Sequence, residues 1–258
     1  MQKHRVAPAV DESLKSSDFY VQEARRLKHL ADASMPDKFS KSLMYVESVL
    51  SFIQYGTAME YEHKDPNKIF KVYFDTLNFC RYYICNSKSS TLSNCEKKLS
   101  VLSLRLQAFL CLKMFKTKKT EAAKLKRVLD DHNKATTSKQ APSPFQPNGQ
   151  WSRSNGTPSP MSPQPSPAGS TASMGSSSSA SSTASAQRIQ SVTAQYLQHV
   201  RYLSDCHEIW EQTDAAMLDH KDFFRNLDND CGRLTMQSSV PEIVRYIKVG
   251  LHRLKEVS

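Results

Sequence analysis

Glycine is scarce in this sequence, and its scarcity excludes several classes of enzyme. Only three of the seven glycines lie outside residues 140–186, and none of the motifs G-x-x-x-x-G-K-[ST], G-x-G-x-x-G or G-x-S-x-G occurs. Such motifs need glycine because the backbone must bend tightly around a phosphate or a nucleophile. The histidines are scattered, with no carboxylate cluster around them. We therefore expect a protein that is not an enzyme, with no catalytic residue, no cofactor-binding residue and no cofactor.

Metal-ligand spacing is also missing. None of the six cysteines belongs to a C-x-x-C pair, and four lie inside strongly apolar helical patterns. That position is typical of small core residues in a reduced, intracellular protein. The segment His207–Glu211 differs from the zinc-protease motif H-E-x-x-H because Glu211 replaces the second histidine. We expect neither a disulfide framework nor a metal site.

Long apolar runs are absent as well. No stretch reaches the roughly 18 consecutive apolar residues of a membrane span. The first eight residues, MQKHRVAP, lack the apolar core of a signal peptide. The sequence therefore predicts no membrane partner.

Residues 140–186 have a composition unlike the rest of the chain. They hold eight of the twelve prolines, fifteen serines and a single charge, Arg153. A segment this poor in apolar residues buries too little surface to offset its ordering entropy. We interpret 140–186 as a disordered linker and 1–15 as a disordered N-terminal segment. We predict that residues 16–139 and 187–258 are two helical parts of one domain. A linker of this length reaches across a small domain, so it does not by itself make the two parts separate domains, and it lets 187–258 pack on its own chain or on a partner chain.

Outside the linker, the apolar periodicity is helical throughout. Phe39, Leu43, Val46, Leu50 and Ile53 recur at intervals of three and four, and strand-like alternation is nowhere sustained. We predict an all-α fold of about eight helices in stacked antiparallel hairpins. The fold resembles tetratricopeptide repeats without being a regular array, since the first hairpin spans about 45 residues against about 34 per repeat.

Prolines and polar residues predict where the helices begin. Ser16 or Ser17 is a suitable cap for the first helix, and Pro36 is placed as the first residue of the second. Asp65-Pro66 predicts the start of the third helix, and Pro241 opens the last.

Several helices between Phe39 and Phe115 are apolar on more than one face. Such a helix is either central in a bundle or part of an oligomer interface. Because a body of this size has room for only one or two central helices, we predict self-association. The residues expected at the dimer interface are Phe70, Phe74, Tyr83, Val244, Ile247, Leu251 and Leu254.

A basic segment lies between Lys113 and Lys139, with nine Lys or Arg and three acidic residues. Phe115 is its only base-stacking aromatic, so any nucleic acid would be held through its phosphates without sequence readout. The expected contacts to DNA or RNA are Lys113, Lys116, Lys118, Lys119, Lys124, Lys126 and Arg127. A solvated helix face and a nuclear-import signal are the alternatives.

Five Ser-Pro or Thr-Pro pairs lie in the linker, and proline-directed kinases modify such pairs. The expected phosphorylation sites are Ser143, Thr157, Ser159, Ser162 and Ser166.

Several segments of the chain resemble one known domain, and they occur in the same order on both sides of the linker. They are Ala24–Ala33, Lys41–Ile53, Leu99–Leu106, Lys113–Lys119, Ala141–Pro144, Glu208–Glu211 and Val244–His252. The chain resembles the C-terminal homology domain of the ALF family. These are leukaemia-fusion and fragile-X-E-linked scaffold proteins of the super elongation complex.

That resemblance implies a dimerising, tetratricopeptide-like helical domain with a nuclear, non-enzymatic role in organising transcription elongation. The implied partners are a second copy of the chain, a paralogue, and elongation-complex subunits bound through regions outside this chain. A helical nucleic-acid-binding domain remains the alternative reading, and it is compatible with dimerisation.

Overall fold

The computed structural model describes residues 15–34, 37–84, 92–139 and 177–257. Helices make up most of these residues, and no strand occurs in the four ranges, so the predicted all-α class is confirmed. The helices are α1 (Ser17–Ser34), α2 (Lys38–Tyr61), α3 (Pro66–Ile84), α4 (Asn94–Lys139), α5 (Ser177–Met217), a 3-10 helix (Leu218–His220), α6 (Lys221–Cys231) and α7 (Val240–Val257). No helix in this described part is long and apolar enough to cross a lipid bilayer.

Side-chain caps explain where the first three helices begin. The Ser16 hydroxyl accepts a hydrogen bond from the Phe19 N–H at 3.3 Å, and the Asp65 carboxylate accepts one from the Asn67 N–H at 3.1 Å. Pro36, the expected first residue of α2, lies outside the described residues, and α2 begins at Lys38. Asp37 is the N-cap, accepting from the Ser40 N–H at 2.8 Å, because its carboxylate satisfies a backbone donor that the helix leaves unpaired.

The contacts divide the chain into two compact units. The first lies within residues 1–122 and 197–258, and we call its described part the body. The second comprises residues 123–196, and we call its described part the arm. Within the arm lie the C-terminal part of α4 and the N-terminal part of α5.

Most of the predicted linker, 140–176, lies outside the described residues, as does 1–14. Residues 177–186 belong to α5, which begins ten residues before the predicted start at 187. This stretch is rich in serine and alanine, and alanine has the highest helix propensity, whereas the predicted boundary at 187 rests on composition alone. The division into a single domain stays a prediction.

Helix α2 is the central helix of the body. Twelve of its 24 residues are buried, and it packs against α1, α3 and α7. Its apolar faces are therefore used within one chain. The core continues through α3, α4, α5 and α7, and it includes the buried cysteines Cys80, Cys111 and Cys206.

Candidate interaction surfaces

Two of the seven basic residues predicted to contact nucleic acid already have side-chain partners within the body. The Lys113 ammonium donates to a Glu60 carboxylate oxygen at 2.5 Å and lies 5.4 Å from the Tyr73 ring centre. The Lys118 ammonium donates to Asn67 at 2.8 Å and to Glu121 at 2.7 Å. Their side chains are only 12% and 13% exposed. Lys113 and Lys118 therefore act as structural cations in the body, which argues against them as nucleic-acid contacts, and that assignment stays a prediction.

The Lys118 ion pair also sets the ionisation of its partner. The hydrogen bond from Lys118 holds the pKa of Glu121 below its ordinary value. Glu121 therefore stays ionised near neutral pH. A paired cation of this kind has little net charge to offer a phosphate.

The other five basic residues are exposed. Lys116 and Lys119 lie on the surface of the body, and Lys124, Lys126 and Arg127 lie on the surface of the arm. All seven residues carry the same charge in the sequence. What distinguishes Lys113 and Lys118 is their position beside Glu60, Asn67 and Glu121 in the fold. The other five basic residues remain accessible to a partner.

Four of the seven residues predicted at a dimer interface belong to α7, and they lie in the core of the body. Val244, Ile247, Leu251 and Leu254 are each at most 3% exposed within a single chain. Helix α7 packs against α2 and α6. Its apolar face is therefore covered by its own chain, which argues against these four residues as dimer contacts, and their place in an interface stays a prediction.

The three remaining interface candidates belong to α3, and they fall into two separate clusters. Phe70 stacks on Phe74 with ring centres 6.3 Å apart and meets Tyr202 edge-on at 5.7 Å. Tyr83 packs 4.7 Å from Tyr45 and 4.9 Å from Phe79. Phe74 is 40% exposed and Tyr83 is 37% exposed. These two residues keep surface for a partner, but they do not form one patch.

The arm carries apolar side chains without a core of its own. No apolar residue is buried among those whose side chains the arm describes, 123–137 and 184–196. Leu125 and Leu129 on α4 are only half-buried, as are Ile189, Val192 and Tyr196 on α5, and Val128 is 42% exposed. The residues of each helix are three or four apart, which places them on one stripe.

The sequence already shows these stripes as helical periodicity. Periodicity alone does not say whether such a stripe packs against the same chain or against a partner. The sequence could not show that the apolar side chains of the arm are only half-buried.

No reactive or metal-binding centre emerges from the described residues. Burial raises the pKa of Cys111 to about 12 and raises that of Cys206 as well, so both thiols stay protonated at neutral pH. His207 and Glu211 lie on the exposed face of α5. Within the described ranges, no three His, Cys, Asp or Glu side chains group as a metal ion would need.

A buried arginine fastens α4 to α5 within the body. The Arg105 guanidinium pairs with Asp214, contacts the Met217 sulfur and lies 4.0 Å above the Trp210 ring. This arrangement explains Arg105 as a structural residue.

The five predicted phosphorylation sites, Ser143, Thr157, Ser159, Ser162 and Ser166, lie outside the described residues.

Comparisons with known proteins agree on one family. The family model described as AFF4, C-terminal homology domain, matches residues 1–258. Human AF4/FMR2 family member 3 is 37% identical over 95% of this chain and 20% of its own length. Human AF4/FMR2 family member 1 is 36% identical over 97% of this chain and 21% of its own length. Mouse AF4/FMR2 family member 2 is 37% identical over 93% of this chain and 19% of its own length. The chain spans about a fifth of the length of these relatives.

Proposed function

We propose, on the premise that this chain belongs to the AF4/FMR2 family as its C-terminal homology domain, that it is a dimerisation module of a nuclear scaffold protein. It joins two copies of the chain, or the chain and a paralogue, within the machinery that regulates transcription elongation. The half-buried apolar stripes of the arm are the observation that carries the dimerisation proposal.

A pair of helical segments without a buried side chain has little to stabilise it. Isolated helices are marginal in water, and most helical stability in proteins comes from packing an apolar face. Leu125, Leu129, Ile189 and Val192 each keep part of their surface in contact with water. Covering that surface would contribute about 25 cal/mol for each Å² of apolar area removed from water.

A second copy of the chain is the partner that fits this surface. Both stripes follow the three- and four-residue spacing with which helices pair side by side. A twofold axis lets the same surface of each copy cover the other, so one sequence supplies both halves of the interface. A paralogue with the same spacing would fit the same surface.

The scaffold role and the nuclear location rest on family membership. Elongation-complex subunits would bind regions of the full-length protein outside this chain. The domain contributes no chemistry in this proposal. Its function is to bring two scaffold chains together, which doubles the number of attached subunits at one place.

Charged substitutions in the arm should separate the copies. In the double variant Leu129→Asp and Val192→Asp, each aspartate would place an unpaired charge in the interface. We expect the dissociation constant to rise about a hundredfold or more. The matched control is Asn133→Asp with Gln190→Asp, since both positions are exposed on the same two helices. Light scattering should give a monomer mass for the first variant and the native mass for the second. A dimer mass for both would rule out the arm as the interface.

Nucleic-acid binding is the second candidate function, and the exposed cations of the arm favour it. Lys124, Lys126 and Arg127 carry three charges on one exposed stretch of α4. Changing all three to glutamine should lower the slope of log affinity against log salt by about two to three, because each phosphate contact contributes about 0.7–0.9. Lys71→Gln on α3 is the control. A slope unchanged by the triple substitution would exclude this segment as the site.

A further inference from the structure

A groove of about 620 Å³ lies on the body between α1, α2 and α7. Lys15, Phe19 and Arg26 line it from α1 and the residues just before it. Glu47 lines it from α2, and Lys248 and Lys255 line it from α7. All of the lining residues belong to the body, and none of them lies in the basic segment of α4.

Positive charge dominates this groove. Its two carboxylates are already bonded, Glu23 to Arg26 at 2.7 Å and Glu47 to Lys255 at 2.6 Å. These pairs leave the charges of Lys15 and Lys248 uncompensated within the groove. Glu23 also responds to them, because its hydrogen bond to Arg26, with Lys248 and Lys15 nearby, holds its pKa below the ordinary value.

An aromatic surface lies beside these cations. Phe19 is 44% exposed, and the Lys15 ammonium lies 4.3 Å from the centre of its ring. Leu27, nearly buried, also lines the groove. The groove thus combines an apolar contact with cations on both sides of it, a combination that suits a peptide with acidic and apolar residues.

A peptide fits these features better than a nucleic acid does. Glu23 and Glu47 interrupt the cations, and they would repel a continuous row of phosphates. An acidic peptide can place its carboxylates beside the lysines and leave the glutamates uncontacted. A concave volume of this size holds a few side chains rather than a duplex.

We propose that the groove between α1, α2 and α7 binds an acidic protein segment that places carboxylates against Lys15 and Lys248 and an apolar side chain against Phe19. The segment belongs to a partner protein. The groove would give the domain a binding site that is independent of dimerisation.

Fluorescence anisotropy on the full chain tests this proposal with a labelled peptide of sequence DEEFDEEL. We expect saturable binding that weakens about tenfold in the variant Lys15→Glu with Lys248→Glu, since rim charges on both sides of the peptide change sign. Phe19→Ser should weaken it about threefold. Lys71→Glu, on the exposed side of α3, should leave it unchanged. Circular dichroism should show the same helix content in all variants.

Three results would overturn the proposal. The first is no binding of the peptide to the native chain. The second is an affinity for the peptide that is the same in the groove variants as in the native chain. The third is equally tight binding of a control peptide in which glutamine and asparagine replace the acidic residues. A single-stranded DNA oligonucleotide is the competing probe. Loss of its binding in the groove variants, with peptide binding retained, would assign the groove to nucleic acid. The dimer mass of the groove variants should match that of the native chain, so this test and the test of dimerisation fail separately.

Discussion

Replacing Gly56 with valine should destabilise the body by about 3 kcal/mol, the upper end of the usual cost of overpacking a core. A Cβ at position 56 would lie 2.5 Å from Cε1 and 2.7 Å from Cζ of Tyr73. The Tyr73 ring is fully buried and cannot move easily, because its hydroxyl donates to Glu60 at 3.0 Å and lies 3.4 Å from the Thr57 hydroxyl. The midpoint of urea unfolding should fall accordingly.

A substitution at Tyr73 shows whether its ring causes the loss of stability. Alanine in place of glycine normally stabilises a helix by about 0.5–1 kcal/mol. Gly56→Ala should nevertheless destabilise the native protein, because the clash involves the Cβ atom itself. In a Tyr73→Leu background the same change should become neutral or stabilising. Equal effects in both backgrounds would contradict this account of α2 and α3.

Replacing Lys113 with methionine should destabilise the body by about 1–3 kcal/mol, although lysine is usually a surface residue. The change leaves the Glu60 carboxylate without its cation in a partly buried site. Since Glu60 keeps about a third of its surface in water, the cost should fall short of that of breaking a fully buried pair. Thermal unfolding measures the change.

Lys119→Met is the matched control, because Lys119 is exposed on the same helix. Surface substitutions of this kind usually change stability by less than about 0.5 kcal/mol. Nucleic-acid affinity supplies a second readout. Lys113→Met should leave it unchanged, and a clear loss of binding would restore Lys113 as a phosphate contact.

Helical periodicity predicted the fold class because burial of an apolar face imposes it on every segment. The start of α3 at Pro66 and the buried cysteines follow from the sequence for the same reason. The exact start of α2 is harder to predict, because a proline and a neighbouring aspartate both signal a helix start. The side chain of Asp37 makes the hydrogen bond that decides between them.

The interaction surfaces were harder to predict, because periodicity does not say what covers an apolar face. Ile247 and Leu251 on α7 have the same spacing as Leu125 and Leu129 on α4. The first pair is buried by the same chain, and the second pair is left half-covered on the arm. The sequence likewise does not say whether a lysine is paired within the chain or open to a partner. Lys113 pairs with Glu60, which lies 53 positions away in the sequence, whereas Lys124 is exposed.

The arm also gives the family resemblance a physical meaning. If the chain dimerises through the arm as proposed, a partner would add to the stability of these partly covered helices, and association and folding of the arm would be coupled. Two scaffold chains with matching stripes would then stabilise each other. A second copy of the chain, or a paralogue with the same stripes, would be a suitable partner.

The mass of the native chain across a dilution series tests this account most directly. Light scattering coupled to size exclusion should give twice 29.2 kDa at micromolar concentration, with the mass falling only on strong dilution. A mass of 29.2 kDa throughout the micromolar range, with a total helix content by circular dichroism that requires α4 and α5 to be formed, would show that the arm is stable uncovered and would contradict dimerisation.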